Sequence, residues 1–233
     1  MGGVKTDLLR KGSRWLRRIL NPPLHKPEIY AEYLFLGSEY GGSPVLRDRL
    51  TADSSVYSSG VGDDISFDLG MIETFGCTVK AFDPTPRCME WLRRTNTPAQ
   101  FEFHSIGLSD RTQVMRFSAP PQSDHVSYSV GERIHETDTV ELPVKALDEL
   151  MADIGDKGHE IDLLKMDIEG SEYDALPDML AKGILPHQLN VEFHHEMFGY
   201  SNEQTNEMVE AVRRAGYKLF FVFSFGREYG FYR

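Results

Sequence analysis

Cysteine is scarce in this chain. Only Cys77 and Cys88 occur in 233 residues, one in an apolar stretch and one in a predicted helix, so no disulfide framework is expected and a reducing, cytoplasmic compartment is favoured. No apolar run approaches the roughly 18 residues needed to span a bilayer. An apolar leader core with a small-residue cleavage site is missing too. The chain also lacks a basic excess: its net charge of −11 argues against a nucleic-acid backbone as partner, because phosphate binding requires a basic footprint. Small molecules or neutral glycans suit it better. The 40% hydrophobic content is enough to core one α/β domain with terminal additions.

The rest of the chain is organised around residues 55–86, SVYSSGVGDDISFDLGMIETFGCTVKAFDPTP. Residues 56–59 are β-prone, Gly60-Val61-Gly62 makes a turn, residues 64–75 carry apolar side chains at helical spacing, and residues 77–82 form a second apolar run. That run stops at Asp83. In such a βαβ unit the first turn lies at the sheet's C-terminal edge, where glycine admits a ligand close to the backbone and the following helix presents free N–H groups. An acid closing the second strand can accept hydrogen bonds from a ribose diol, so the pattern describes a nucleoside-cofactor site. A dinucleotide fits it poorly. The third glycine of G-x-G-x-x-G falls on Ile65, and Asp63-Asp64 at the helix N-terminus would repel a pyrophosphate. S-adenosylmethionine has no phosphate to repel.

The N-terminus differs in character from the rest. Lys5, Arg10, Lys11, Arg14, Arg17 and Arg18 against Asp7 give the first 21 residues a charge of +5, leaving −16 for the remainder. On a helical projection Leu8, Leu9, Trp15, Leu16, Ile19 and Leu20 oppose the basic residues, until Pro22-Pro23 ends the pattern. Residues 5–20 read as an arm docking on the domain or a second copy, as a helix lying on anionic lipid, or as a targeting segment. Residues 25–53 read as a cap with a helical piece over 29–36, a turn at 41–44 and an amphipathic piece near 45–50. We divide the chain into this N-terminal region, 1–53, and a domain over 54–233.

Beyond Asp83, Thr85 can cap and Pro86 can begin a helix to residue 94 with Met89 and Leu92 inward. A third strand is predicted over 100–104. In an adenosyl site the loop after it flanks the adenine, which makes Ser105 and Ile106 contact candidates. Residues 114–117 and 139–144 read as a strand pair bracketing a long polar insertion, 118–137, with His125, Tyr128 and His135. A short helix is predicted over 147–154. Next comes IDLLKMDIEGSEYDAL, an apolar central strand over 161–166 that delivers Asp167, Glu169 and Glu172 to the same sheet edge, with Gly170 turning and Ser171 capping the next helix. A fifth strand over 188–193 brings Glu192, His194 and His195 to that edge. A helix over 202–215, closed by Gly216, and a hairpin of 217–224 with 228–232 complete the order of a seven-stranded sheet whose last strand is reversed.

VYSSGVGDDISFDLGMIETFGCTVKAFDPTP, IGLSD, LLKMDIEGSEYDAL and LNVEFHH together resemble the FkbM-type class I methyltransferases and their methyltransferase-like relatives. The likeness covers about residues 55–195 and the hairpin extends it; Asp167-Ile168-Glu169-Gly170-Ser171-Glu172 is its most specific piece. The resemblance implies an α/β, Rossmann-like, mostly parallel sheet of seven strands with an antiparallel C-terminal hairpin strand and helices on both faces. It implies S-adenosylmethionine as cofactor and methylation of a hydroxyl, in several relatives that of a sugar. Carried over by residue, it makes Ser59, Gly60 and Gly62 the methionine-side turn and Asp83 the ribose ligand. Asp167 then faces the methionine moiety or the acceptor. Ser58-Ser59 stands where the family's first motif begins with an acid, so Asp63 or a backbone carbonyl has to receive the cofactor's ammonium.

A sugar hydroxyl needs help to lose its proton. Either His194 or Glu169 acts as base, with Glu192 orienting the imidazole, or Asp167, Glu192 and His194 hold a divalent cation, Mg²⁺ or Mn²⁺. Two further classes compete with the enzyme reading. One is a non-catalytic adenosyl-binding or scaffold protein; the other is a nicotinamide-dependent oxidoreductase, which lacks here both the third glycine and an obvious Tyr-x-x-x-Lys pair.

Overall fold

The structure, a computed structural model, describes residues 23–118, 139–223 and 226–233, without the side chains of Asp48 and Ser118. The basic segment at 5–20 and the insertion's His125, Tyr128 and His135 lie outside the described residues. Strand β1 (Leu34–Leu36) pairs antiparallel with β2 (Ser43–Val45). A 3-10 turn, Arg47–Arg49, leads to β3 (Ser55–Ser59). Helix α1 (Ser66–Phe75) follows and ends on Gly76 at φ 74°, in the left-handed conformation glycine reaches cheaply. Then come β4 (Thr78–Phe82), α2 (Pro86–Leu92) and β5 (Phe101–His104). A small sheet is built from β6 (Gly107–Ser109), β7 (Gln113–Ser118) and β8 (Thr139–Ala146), with β8 between the other two. The chain continues through α3 (Leu147–Asp153), β9 (Leu163–Met166), α4 (Glu172–Ala181), β10 (Gln188–Glu192), α5 (Asn202–Arg214), β11 (Lys218–Val222) and β12 (Glu228–Tyr232).

The large sheet is mixed, in the order β5-β4-β3-β9-β10-β12-β11. Strands β5 to β10 are parallel, and β12 runs antiparallel to both neighbours. Adjacent residues of the central strands feed opposite layers, which is the mark of a sheet covered on both faces. Tyr57, Leu164, Met166, Leu189 and Val191 pack with residues of α3, α4 and α5. Val56, Val79 and Leu163 pack with Phe67 and Met71 of α1 and with Val45. Ala81 and Phe101 meet Cys88 of α2.

The chain runs outward from β3 through β4 to β5 and then returns to β9 on the other side of β3. This is a topological switch point, where open α/β sheets have a crevice outside the carboxyl ends of the strands. Three local expectations need correction. Residues 34–36 are extended, not helical, because the β1–β2 pairing is joined by aromatic contacts of Tyr33 and Phe35 with Phe221, with ring centroids 5.1 and 6.3 Å apart. In α2 Cys88 is the buried residue and Leu92 packs against the same cluster as expected, whereas Met89 is only half-buried and is not part of it. Ser171 makes no capping hydrogen bond; Glu172 reaches back to the Gly170 N–H instead. Thr85 does cap α2, accepting from the Cys88 N–H.

Candidate functional site

Gly60 leaves β3 at φ +86°, and its N–H donates to the Phe82 carbonyl. A Cβ there would lie 1.5 Å from the Asp167 carbonyl oxygen, so the ends of β3 and β9 meet closely only because the residue is glycine. The Asp167 N–H in turn donates to the Ser59 carbonyl. Gly62, at φ +59°, has nothing within 4 Å of where a Cβ would stand, and its N–H donates to Asp83 Oδ2 at 2.9 Å. The other oxygen, Oδ1, accepts from the Thr85 N–H at 2.8 Å and from its hydroxyl at 2.5 Å. Burial raises the Asp83 pKa, and these hydrogen bonds oppose the rise.

These groups wall one cleft of about 780 Å³, counting the space at its open mouth. Gly60, Gly62, Asp83, Asp167 and Glu169 all line it, with Tyr40 and Gly41 closing it from the N-terminal side. Two adenine-side candidates stand elsewhere: Ser105 is exposed and Ile106 packs on the main core, while Gly107 and Leu108 form the wall. Ser59 is buried and contributes its backbone. Asp63 lines the cleft 3.9 Å from Arg87, whereas Asp64 is held by Ser38 and Ser66. Ser58 is buried against Asp68, whose pKa rises to about 6 through burial, with the Ser58 hydrogen bond and Lys165 pulling it back.

Beside the cleft, β9, α4, β10 and the turns that follow the two strands bring four acids and one imidazole together. His194 is 3% exposed. Its Nδ1 lies 2.9 Å from Glu172 Oε1; its Nε2 is 3.2 Å from Glu169, 3.8 Å from Asp167 and 3.9 Å from Glu192. Burial alone would lower its pKa, but Glu172, Glu169 and Asp167 outweigh it and raise the value to about 10. The surrounding carboxylates therefore favour the charged form of His194 in the absence of another cation, which makes it a poor acceptor for a substrate proton. Glu172, wholly buried, orients the ring in place of Glu192: its carboxylate accepts from the His194 and Gly170 N–H groups. The sequence offered one signal for this, the third acid of D-x-E-G-x-E, which reads as an ordinary helix N-terminal charge until β10 is placed opposite. Lys165 was missed as well; it lines the cleft with Nζ 3.7 Å from Asp167. His195 stays outside the group and faces Arg227, which together with burial lowers its pKa.

A cleft at the switch point of the sheet, walled by a glycine turn and by the acid that closes the next strand, defines an α/β domain that binds a ligand at its strand carboxyl ends. The family can be stated as well. The model of the Methyltransferase FkbM domain matches residues 59–219, well over half of the chain, and the chain belongs to that family of methyltransferases. Comparisons with curated proteins and with solved structures gave no match. Among the described residues no helix is long and apolar enough to cross a membrane.

Proposed function

We propose that the chain is an S-adenosylmethionine-dependent O-methyltransferase with a Rossmann-like sheet, acting on a hydroxyl of a sugar, glycan or related small molecule. The observation that carries this reading is the convergence of the Gly60–Gly62 turn, Asp83 and Asp167 on one cleft. The residues fit an adenosyl cofactor. Gly62 leaves unfilled the space a side chain would take, and Asp83 is fixed by the same turn with lone pairs left over for a diol. Bound there, the cofactor supplies an electrophilic methyl group on a sulfonium sulfur.

The chain's own residues do the rest. The Gly60–Gly62 turn and Asp83 would hold the cofactor, and the remaining walls of the cleft would orient an acceptor hydroxyl toward its methyl group. Glu169, whose carboxylate lines the cleft, would accept the hydroxyl proton, since the acids around His194 favour its charged form. Asp63 is the anion left for the cofactor's ammonium, since Asp64 is engaged by Ser38 and Ser66.

Calorimetric titration with S-adenosylhomocysteine and with NADH tests the cofactor, and transfer of labelled methyl to a glycan panel tests the reaction. We expect the thioether nucleoside to bind, NADH not to bind, and label on a hydroxyl that Asp167→Ala abolishes. NADH binding in its place would overturn the reading. Cofactor binding without transfer to any acceptor would leave a non-catalytic adenosyl-binding protein.

A further inference from the structure

We propose that Asp167, Glu192 and His194 hold one divalent cation of the Mn²⁺ type, which takes the place of a proton on His194 Nε2, at the edge of a recess beside the cofactor cleft that Asp167 and Glu192 line. One ligand atom from each of the three lies within 4.8 Å of the others. Bonds of about 2.1 Å put neighbouring donors about 3 Å apart, so donors that lie 3.8 and 3.9 Å from His194 Nε2, and all within 4.8 Å of one another, close by roughly 1–2 Å on loading, within the swing of a carboxylate. Two carboxylates and an imidazole make a mixed oxygen–nitrogen set, which suits Mn²⁺ better than Mg²⁺.

Three further features support a cation here. His194 has its Nδ1 fixed at 2.9 Å by Glu172, a buried acid itself tied to the Gly170 N–H, which leaves Nε2 directed at the carboxylates. That is how second-shell acids present a metal-binding histidine. Strand register also sets Glu192 directly across from Glu228 on β12. Like charges facing each other in an antiparallel pair destabilise a sheet, and Asp167 lines the same recess. Lys165, 3.7 Å from Asp167, is the cation lining that recess. Finally, Asn190 stands two residues before Glu192, hence on the same face of β10. Its Oδ1 is buried, has no hydrogen-bond partner, and belongs to a side chain lining this recess with Asp167, Glu192 and Glu228. An unsatisfied buried acceptor costs free energy, and a water bound to a cation in this recess would satisfy it.

The inference does not depend on which cofactor fills the cleft. Mn²⁺ alone is titrated into the full chain and followed by the free-ion electron paramagnetic resonance signal, with Mg²⁺ in competition. S-adenosylhomocysteine binding is measured separately. Expected is one Mn²⁺ per chain, weakened about tenfold or more in Glu192→Gln and about 10–100-fold in Glu172→Gln, the positioning residue. Thermal unfolding checks that each variant is folded, and Asn190→Asp, which should tighten binding, serves if either is not. Failure of the wild-type chain to take up Mn²⁺ at millimolar concentration, or equal uptake by a folded Glu192→Gln, would overturn the site. Mn²⁺ uptake without S-adenosylhomocysteine binding would sink the cofactor reading and leave this one standing.

Discussion

Gly60 and Gly62 lie two residues apart and are glycine for different reasons. At Gly60 a methyl group would overlap the Asp167 carbonyl, a backbone atom that cannot move without parting β3 from β9. At Gly62 the space is open and only the backbone conformation resists. Gly60→Ala is therefore expected to cost more than about 4 kcal/mol of stability, in the exceptional range for a single change. Gly62→Ala should cost about 1–2 kcal/mol, the strain of a left-handed L-residue, while weakening S-adenosylhomocysteine because its methyl group enters the cleft. Urea unfolding and calorimetry on the two variants separate these outcomes; equal stability loss would refute the distinction. Two glycines in a turn were legible from the sequence. Which one touches backbone and which faces the ligand depended on β9 arriving beside β3.

At the scale of elements, the β1–β2 hairpin shows how a face is completed from afar. Gln188 and Asn190 sit inside a central strand, where polar side chains are unexpected. Gln188 bonds both the N–H and the carbonyl of Leu46, and Asn190 bonds Ser43 and the Pro44 carbonyl, so the hairpin seals polar positions of β10. A second tie runs from the turn after α3 to the sheet. Asp156 Oδ2 accepts from the Tyr57 hydroxyl at 2.7 Å and from Lys80, residues directly paired across β3 and β4. Burial would raise the Asp156 pKa, yet Lys80 and Tyr57 pull it below the usual carboxylate range. A depressed acid contributes stability that is fully present above its unfolded pKa, near 4, and is lost as pH falls through the lower folded value. Asp156→Asn should cost about 1–3 kcal/mol at pH 7 and flatten the loss of stability on acidification below about pH 4. Urea midpoints from pH 7 to pH 2.5 test this, and parallel curves for the two proteins would refute it.

For the molecule as a whole, a ligand that binds only the folded state must raise the unfolding temperature. At 100 times its dissociation constant, S-adenosylhomocysteine stabilises by about 2.7 kcal/mol, which for a chain of this size is about 5–10 °C. Differential scanning fluorimetry reads the shift, and its absence at saturation would mean that the ligand also binds the unfolded chain or does not bind. From β3 onward, β6 apart, the sequence by itself determined the succession of strands and helices, the Gly60 turn, and the acids Asp83 and Asp167 that end their strands. Those features are local, since periodicity and turn chemistry act over a few residues. Only the tertiary structure decided that Glu172 locks His194, that Glu192 faces Glu228, and that residues 34–46 seal a sheet face. Each of these joins segments that are remote along the chain or that meet only through strand register, and strand order and burial, unlike periodicity, exist only once the layers have packed.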